Sequence, residues 1–161
     1  MKNNNITKEE KVLLVGLINY PDNKSVVEEH LDELGLLVET AGGKVIGKVT
    51  QKVSKINPAT LVGIGKAKQL ISQAEELSAK LIIFDDELSP AQIKNYHKMS
   101  KTIKILDRNG LILDIFKKHA RTKEAITQVN LAYFEYLLPR LTRQWTHLER
   151  QMGGIGTRAG M

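Results

Sequence analysis

Arg140, Arg143, His147 and Arg150 recur at spacings of 3, 4 and 3 near the end of this 161-residue chain. On a helix that spacing places all four along one stripe. The planar guanidinium fork matches phosphate oxygens with two parallel hydrogen bonds, so the chemistry offered is recognition of a phosphodiester backbone. Immediately after the stripe, "GGIGTRAGM" supplies Gly153, Gly154 and Gly156, which let backbone N–H groups approach a partner closely, and Arg158 adds another fork. A charge stripe is also what a solvated helix face looks like, and both readings stand on these residues alone.

Other groupings are weaker. "GIGKAKQL" suggests a phosphate loop, but the GxxxxGK[ST] pattern needs glycine where Thr60 stands and Ser or Thr where Ala67 stands. Gly63 and Gly65 then read as a tight turn into a helix whose N-terminus, with Lys66, keeps some anion-binding capacity. "FDDEL" sets Asp85, Asp86 and Glu87 just past a strand, where open α/β sheets bind ligands, or where a solvated loop leads into the next helix. The four histidines, His30, His97, His119 and His147, show no ligand spacing, so no metal is assigned. No Ser, His and Asp grouping suggests a nucleophile, and no catalytic residue or cofactor-binding residue is assigned. "GIGTRA" fits a loose dinucleotide fingerprint but follows a helix instead of a strand.

These groups must be positioned by regular elements, and the apolar pattern supplies them. "VLLVGLI" at 12–18 is a continuous run, the mark of a strand covered on both faces. Val27, Leu31, Leu34 and Val38 then follow helical spacing until Gly42 and Gly43 end it. "KVIGKVTQKV" reads as a second strand nearer a sheet edge, "ATLVGI" as a short third, and "GKAKQLISQAEELSAK" as a helix with Leu70, Ile71, Ala74 and Leu77 inward. "LIIFDD" is a fourth strand, "SPAQIKNYHKMS" a helix capped by Ser89 with Pro90 in its first turn, and "TIKIL" a fifth strand closed by the turn "DRNG". Strands alternating with helices predict an α/β fold, a small, mostly parallel sheet of about five strands with flanking helices.

From Leu111 the pattern is helical only. Ile126, Val129, Tyr133, Tyr136 or Leu137, Leu141, Trp145, Leu148 and Met152 form one seam, interrupted by Pro139, which is expected to kink it. An uncovered seam of this length needs a partner and offers a route to self-association. The expected division is an α/β domain over 1–107 and a helical arm with a Gly-rich tip over 108–161.

Charge supports the division. Residues 1–90 hold 11 Lys and Arg against 13 Asp and Glu, whereas 91–161 hold 13 against 5. The second half has the electrostatic footprint of a polyanion partner. The chain has no cysteine, which excludes disulfides and thiolate chemistry, and no apolar run long enough for a membrane span. Its polar start lacks an apolar leader core, and the expectation is a soluble, cytoplasmic protein.

"NPATLVGIGKAKQL", "ILDRNGLILDIFKKHARTKEA" and above all "LLPRLTRQWTHLERQMGGIGTRAG" resemble the HflX family of ribosome-associated GTPases, from about Lys11 to the last residue. The resemblance implies that the Gly-rich segment is the tip between two long antiparallel helices, of which this chain holds the first. It implies that the returning helix, and a GTP-binding domain with its own phosphate loop, lie beyond an amino-terminal piece such as this one. The implied partner is the large ribosomal subunit and its rRNA, and the implied role is splitting or recycling stalled ribosomes. Arg140, Arg143, Trp145, Arg150, Gly153, Gly154, Gly156 and Arg158 would lie near RNA, while GTP and magnesium would belong to the other domain. Ala159 departs from the glycine, proline and glutamate run usual in the family. An ATP-binding role for the α/β domain, using the sheet edge at Gly63, Gly65, Lys66 and Asp85, is the alternative.

Overall fold

Val12 to Leu17 are buried without interruption because the strand they form, β1 (Lys11–Ile18), is paired on both sides and covered on both faces. In the computed structural model the backbone is described for residues 6–151 and side chains as far as Pro139. The remaining elements are α1 (Lys24–Thr40), β2 (Lys44–Lys52), α2 (Ile64–Glu76), β3 (Leu81–Phe84), α3 (Pro90–Met99), β4 (Lys104–Asp107), α4 (Arg108–His119) and α5 (Lys123–Gln151). All strand pairs are parallel, in the order β2-β1-β3-β4.

Two cores follow from the strand period of two. Leu13, Val15, Ile82, Phe84 and Ile105 point to the face covered by α2 and α3, where they meet Leu70, Ile71, Ile93 and Tyr96. Val12, Leu14, Leu81, Ile83 and Leu106 point to the other face, against Leu31, Leu34 and Val38 of α1 and Leu111 and Ile115 of α4. Helices on opposite faces are what right-handed crossovers require when the chain moves from β1 out to β2 and then back across to β3.

The α/β reading holds, with β2 at the edge as expected, but the sheet has four strands instead of about five. "ATLVGI" is not a strand. β1 already has a neighbour on each side, and the residues before α2 instead close on themselves: Asn57 Oδ1 accepts from Ala59 N and Thr60 N at 2.8 and 3.1 Å, and Asn57 and Leu61 exchange backbone hydrogen bonds. Leu61 takes a left-handed backbone there, with φ of 70°. Gly63, at φ 91°, then begins α2 in a conformation that side-chain-bearing residues resist.

"DRNG" is likewise no turn. Asp107 closes β4 and caps α4 directly, its Oδ1 accepting from Gly110 N at 2.9 Å. The helical pattern beyond divides into α4 and α5 at residues 120–122, where Thr122 Oγ1 accepts from Ala125 N to begin α5. Helix α5 continues through Pro139.

Candidate functional site at the carboxyl edge and along the helical arm

Among the described residues, the carboxyl ends of β3 and β4 hold Asp85, Asp86 and Asp107, all buried or half-buried. Asp107 is fully buried and accepts from Leu88 N at 3.0 Å, from Gly110 N, and from the Tyr136 hydroxyl at 3.0 Å. One carboxylate thus meets the start of α3, the start of α4 and the arm. Gly110 makes the approach possible, since a Cβ there would stand 2.6 Å from Leu106 Cδ1 and 3.0 Å from the Tyr136 oxygen. A turn away, Lys117 Nζ lies 4.8 Å from the centre of the Tyr133 ring.

Asp85 is engaged by Arg108, whose Nε donates at 2.7 Å and whose Nη2 reaches the same oxygen and the His30 carbonyl. Its neighbour Asp86 accepts from Leu17 N at 3.3 Å. Desolvation lifts the Asp86 carboxyl above its ordinary value; the Leu17 hydrogen bond opposes this, Asp85 and Asp22 add to it, and His30 offsets a little. A shallow cleft of about 580 Å³ beside these acids is lined by Ile18, Asn19, Tyr20, Asp22, Lys52, Val53 and Ser54.

The alternative nucleotide site is not assembled as its residues suggested. Lys66 Nζ lies 3.4 Å from the Lys52 carbonyl, toward the end of β2, while Asp85 turns to Arg108 on the α1 and α4 side. A Cβ on Gly65 would meet nothing within 4 Å, so no close approach explains that glycine. Among the described residues no three His, Asp or Glu side chains converge to hold a metal ion, and no helix is long and apolar enough to cross a membrane.

Arg140, Arg143, Trp145 and Arg150 are on the described backbone of α5, but their side chains lie outside the described residues, as do Gly153, Gly154, Gly156 and Arg158 altogether. Two residues of the expected seam have partners within the chain: Tyr133 faces Lys117 of α4, and Tyr136 faces Asp107. Among the described side chains, α5 leaves Ile126 of that seam exposed, together with Leu131, Phe134 and Leu138 outside it. Leu141, Leu148 and Met152 of the seam lie outside the described side chains.

The sequence pattern sets Asp107 and Arg108 in a turn and Tyr136 in an apolar seam, and assigns none of the three to a site. The available signal was an acid at a strand's last position with glycine three residues later, a capping arrangement that the "DRNG" turn chemistry obscured.

Known proteins match most of the chain. Residues 28–117 match the family described as GTP-binding GTPase N-terminal, and 119–161 the GTP-binding GTPase middle region. The GTPase HflX of Flavobacterium psychrophilum is 48% identical over 149 residues, covering 92% of this chain and 36% of that protein. The GTPase HflX of Escherichia coli is 43% identical over 130 residues, covering 81% of this chain and 30% of that one. A GTP-binding protein of Sulfolobus solfataricus, solved with GDP, aligns with a TM-score of 0.63 at 26% identity, over 93% of this chain and 44% of that one. The chain therefore spans about a third of the length of the curated relatives it matches.

Proposed function

Because this chain belongs to the family of HflX GTPases, whose amino-terminal and middle regions it matches, we propose that it is the ribosome-binding part of such a GTPase. On this reading it docks on the large ribosomal subunit, α5 and the residues after it reaching toward the peptidyl-transferase centre, and the complete GTPase splits or recycles stalled ribosomes. The observation that carries the reading is the middle-region match, which runs through the segment containing the arginine stripe and the Gly-rich stretch. Arg140, Arg143, Arg150 and Arg158 take phosphates, Trp145 lies against RNA, and Gly153, Gly154 and Gly156 allow close approach of the backbone. The net charge of +6 supports a polyanionic partner.

GTP and magnesium belong, in this scheme, to the part of the relatives that the chain does not span, since the GxxxxGK[ST] pattern occurs nowhere in its sequence. A ribosomal partner also places the protein in the cytoplasm. The competing reading, a nucleotide on the carboxyl edge, has the cleft beside Lys52 and Ser54 in its favour. Co-sedimentation with purified large subunits over a salt series, beside titration with ATP and GTP, tests the two. Salt-dependent pelleting without nucleotide binding is expected; saturable ATP binding without pelleting would reverse the assignment.

A further inference from the structure

Helices α1 and α3, on opposite faces of the sheet, carry opposite charge. Helix α1 exposes Glu28, Glu29, Asp32, Glu33 and Glu39, and the nearby Lys24 and Lys48 are already paired with Glu28 and Asp32. Helix α3, across the sheet, contains no acid at all. Its Lys94 and Lys98 stand one turn apart, with Lys101 just past its end. Among the described residues none of these three lysines forms an ion pair, whereas Lys24, Lys48, Lys104 and Lys118 each do. Partial desolvation first, and the like charge of Lys98 second, hold the Lys94 ammonium below its ordinary value. Like charges four residues apart oppose the helix that bears them, and an anion between them relieves the repulsion.

Position ties this face to the arm. The Asp107 carboxylate that receives Leu88 N at the start of α3 also receives the Tyr136 hydroxyl of α5. Helix α3 therefore begins beside the point where α5 passes Asp107, and from there α3 runs back along β4 toward Lys101 while α5 runs on toward Arg140 and Arg143.

We propose that Lys94, Lys98 and Lys101 form a second phosphate-binding surface, which holds RNA backbone alongside the arm while the acidic face of α1 points away from it. This rests on the reading of the chain as an RNA-docking module. Protein partners bury an apolar centre, and α3 contributes none of the exposed large apolar side chains, so a purely electrostatic face suits nucleic acid better. Lysine ammonium groups act as point charges, which suits contacts that orient the molecule without reading bases.

The test measures binding of the full chain to purified large ribosomal subunits and, separately, to protein-free large-subunit rRNA, from low to high salt. The triple variant Lys94→Ala/Lys98→Ala/Lys101→Ala is expected to lower the log–log salt slope by about 2 to 3 on both probes, at roughly 0.7 to 0.9 per lost contact. The triple arginine variant should retain the parental slope, and Lys24→Ala/Lys48→Ala, on the α1 side, should change neither probe. Unchanged affinity and slope for the triple alanine variant on rRNA overturns the surface, while parental binding to subunits leaves the wider reading standing. If the parent binds rRNA but not subunits, the wider reading fails, and the lysine effect on rRNA still decides the surface. Loss on subunits with no change on rRNA assigns the face to an acidic protein and overturns the RNA assignment. A parent that binds neither probe overturns both.

Discussion

The ammonium of Lys118 lies 2.9 Å from the carboxylate of Asp114, one turn earlier on α4, and also donates to the carbonyls of Ile6 at 2.6 Å and Ala41 at 2.9 Å. Asp114 is only 4% exposed, and Lys118 is its ion-pair partner. One side chain therefore fastens α4 to the end of α1 and to the residues preceding β1.

Lys118→Ala should destabilise the chain by about 2 kcal/mol, the lower range for uncovering a buried charge, because the lysine itself remains partly in water. Replacing both partners, as Lys118→Met with Asp114→Leu, should recover most of the loss. Urea unfolding of the single and double variants measures it, and a double variant worse than Lys118→Ala would count against the pairing.

Tyr136→Phe removes the hydroxyl that reaches Asp107 and should cost about 1 kcal/mol. Its distinctive sign is faster hydrogen exchange in α5, with the amides of β1 and β3 unchanged. Gly110→Ala strikes the same joint by crowding Leu106, at about 1 to 3 kcal/mol, and equal protection in α5 for both variants and the parent would refute the joint.

Three donors from α3 hold the turn before α2: Gln92 Nε2 to the Asn57 carbonyl at 2.9 Å, Asn95 Nδ2 to Ala59 at 2.8 Å, and Tyr96 OH to Thr60 at 2.7 Å. Tyr96 is fully buried, and burial pushes its phenol well above the ordinary value, so it remains a donor throughout the accessible pH range. Tyr96→Phe should cost about 1 to 2 kcal/mol by leaving a buried carbonyl without its donor. Asn95→Ala, at the half-buried rim, should cost less in the same denaturation assay.

Asp86 gives a pH signature. Its carboxyl is raised in the folded chain, chiefly by desolvation, so the folded state holds this proton more tightly than the unfolded state does. Its contribution to stability is then fully present below the ordinary carboxylate value and lost as pH rises through the raised one. Asp86→Asn keeps an acceptor for Leu17 N and should flatten that fall. Parallel stability profiles for parent and variant across the acidic range would remove the effect.

Arg140→Ala, Arg143→Ala and Arg150→Ala should each weaken large-subunit binding and lower its salt slope by roughly 0.7 to 0.9. Lysine replacements should restore the slope more than the affinity, because charge survives while the fork is lost. Gly154→Pro leaves charge untouched and should reduce affinity with little change in slope. A triple alanine variant that binds like the parent, with the parental slope, would reduce the stripe to a solvated face.

Local patterns were legible where local physics decides. Val27, Leu31, Leu34 and Val38 are all buried at the helical spacing that predicted them, and Ser89 caps α3 with Pro90 in its first turn. The segment 59–64 misled because its apolar residues are indeed buried, at Leu61 and Val62, but a strand is defined by a free neighbour and not by burial. What fixes that turn comes from α3, over thirty residues later, and leaves no local trace. Leu77 was expected inward and is 41% exposed, since it lies past the end of α2. The Asp107 joint was hidden for the same reason as the turn: Tyr136 is 29 residues away in sequence.

That joint turns α5 into a lever. At about 1.5 Å per residue, the backbone from Tyr136 to Gln151 extends roughly 22 Å past the pivot, so a tilt of about 10° there moves the far end by about 4 Å. A contact between one hydroxyl and one carboxylate is thereby magnified into a displacement larger than a hydrogen bond is long. A small loss of stiffness at that joint is therefore expected to displace the far end of α5 more than the sheet.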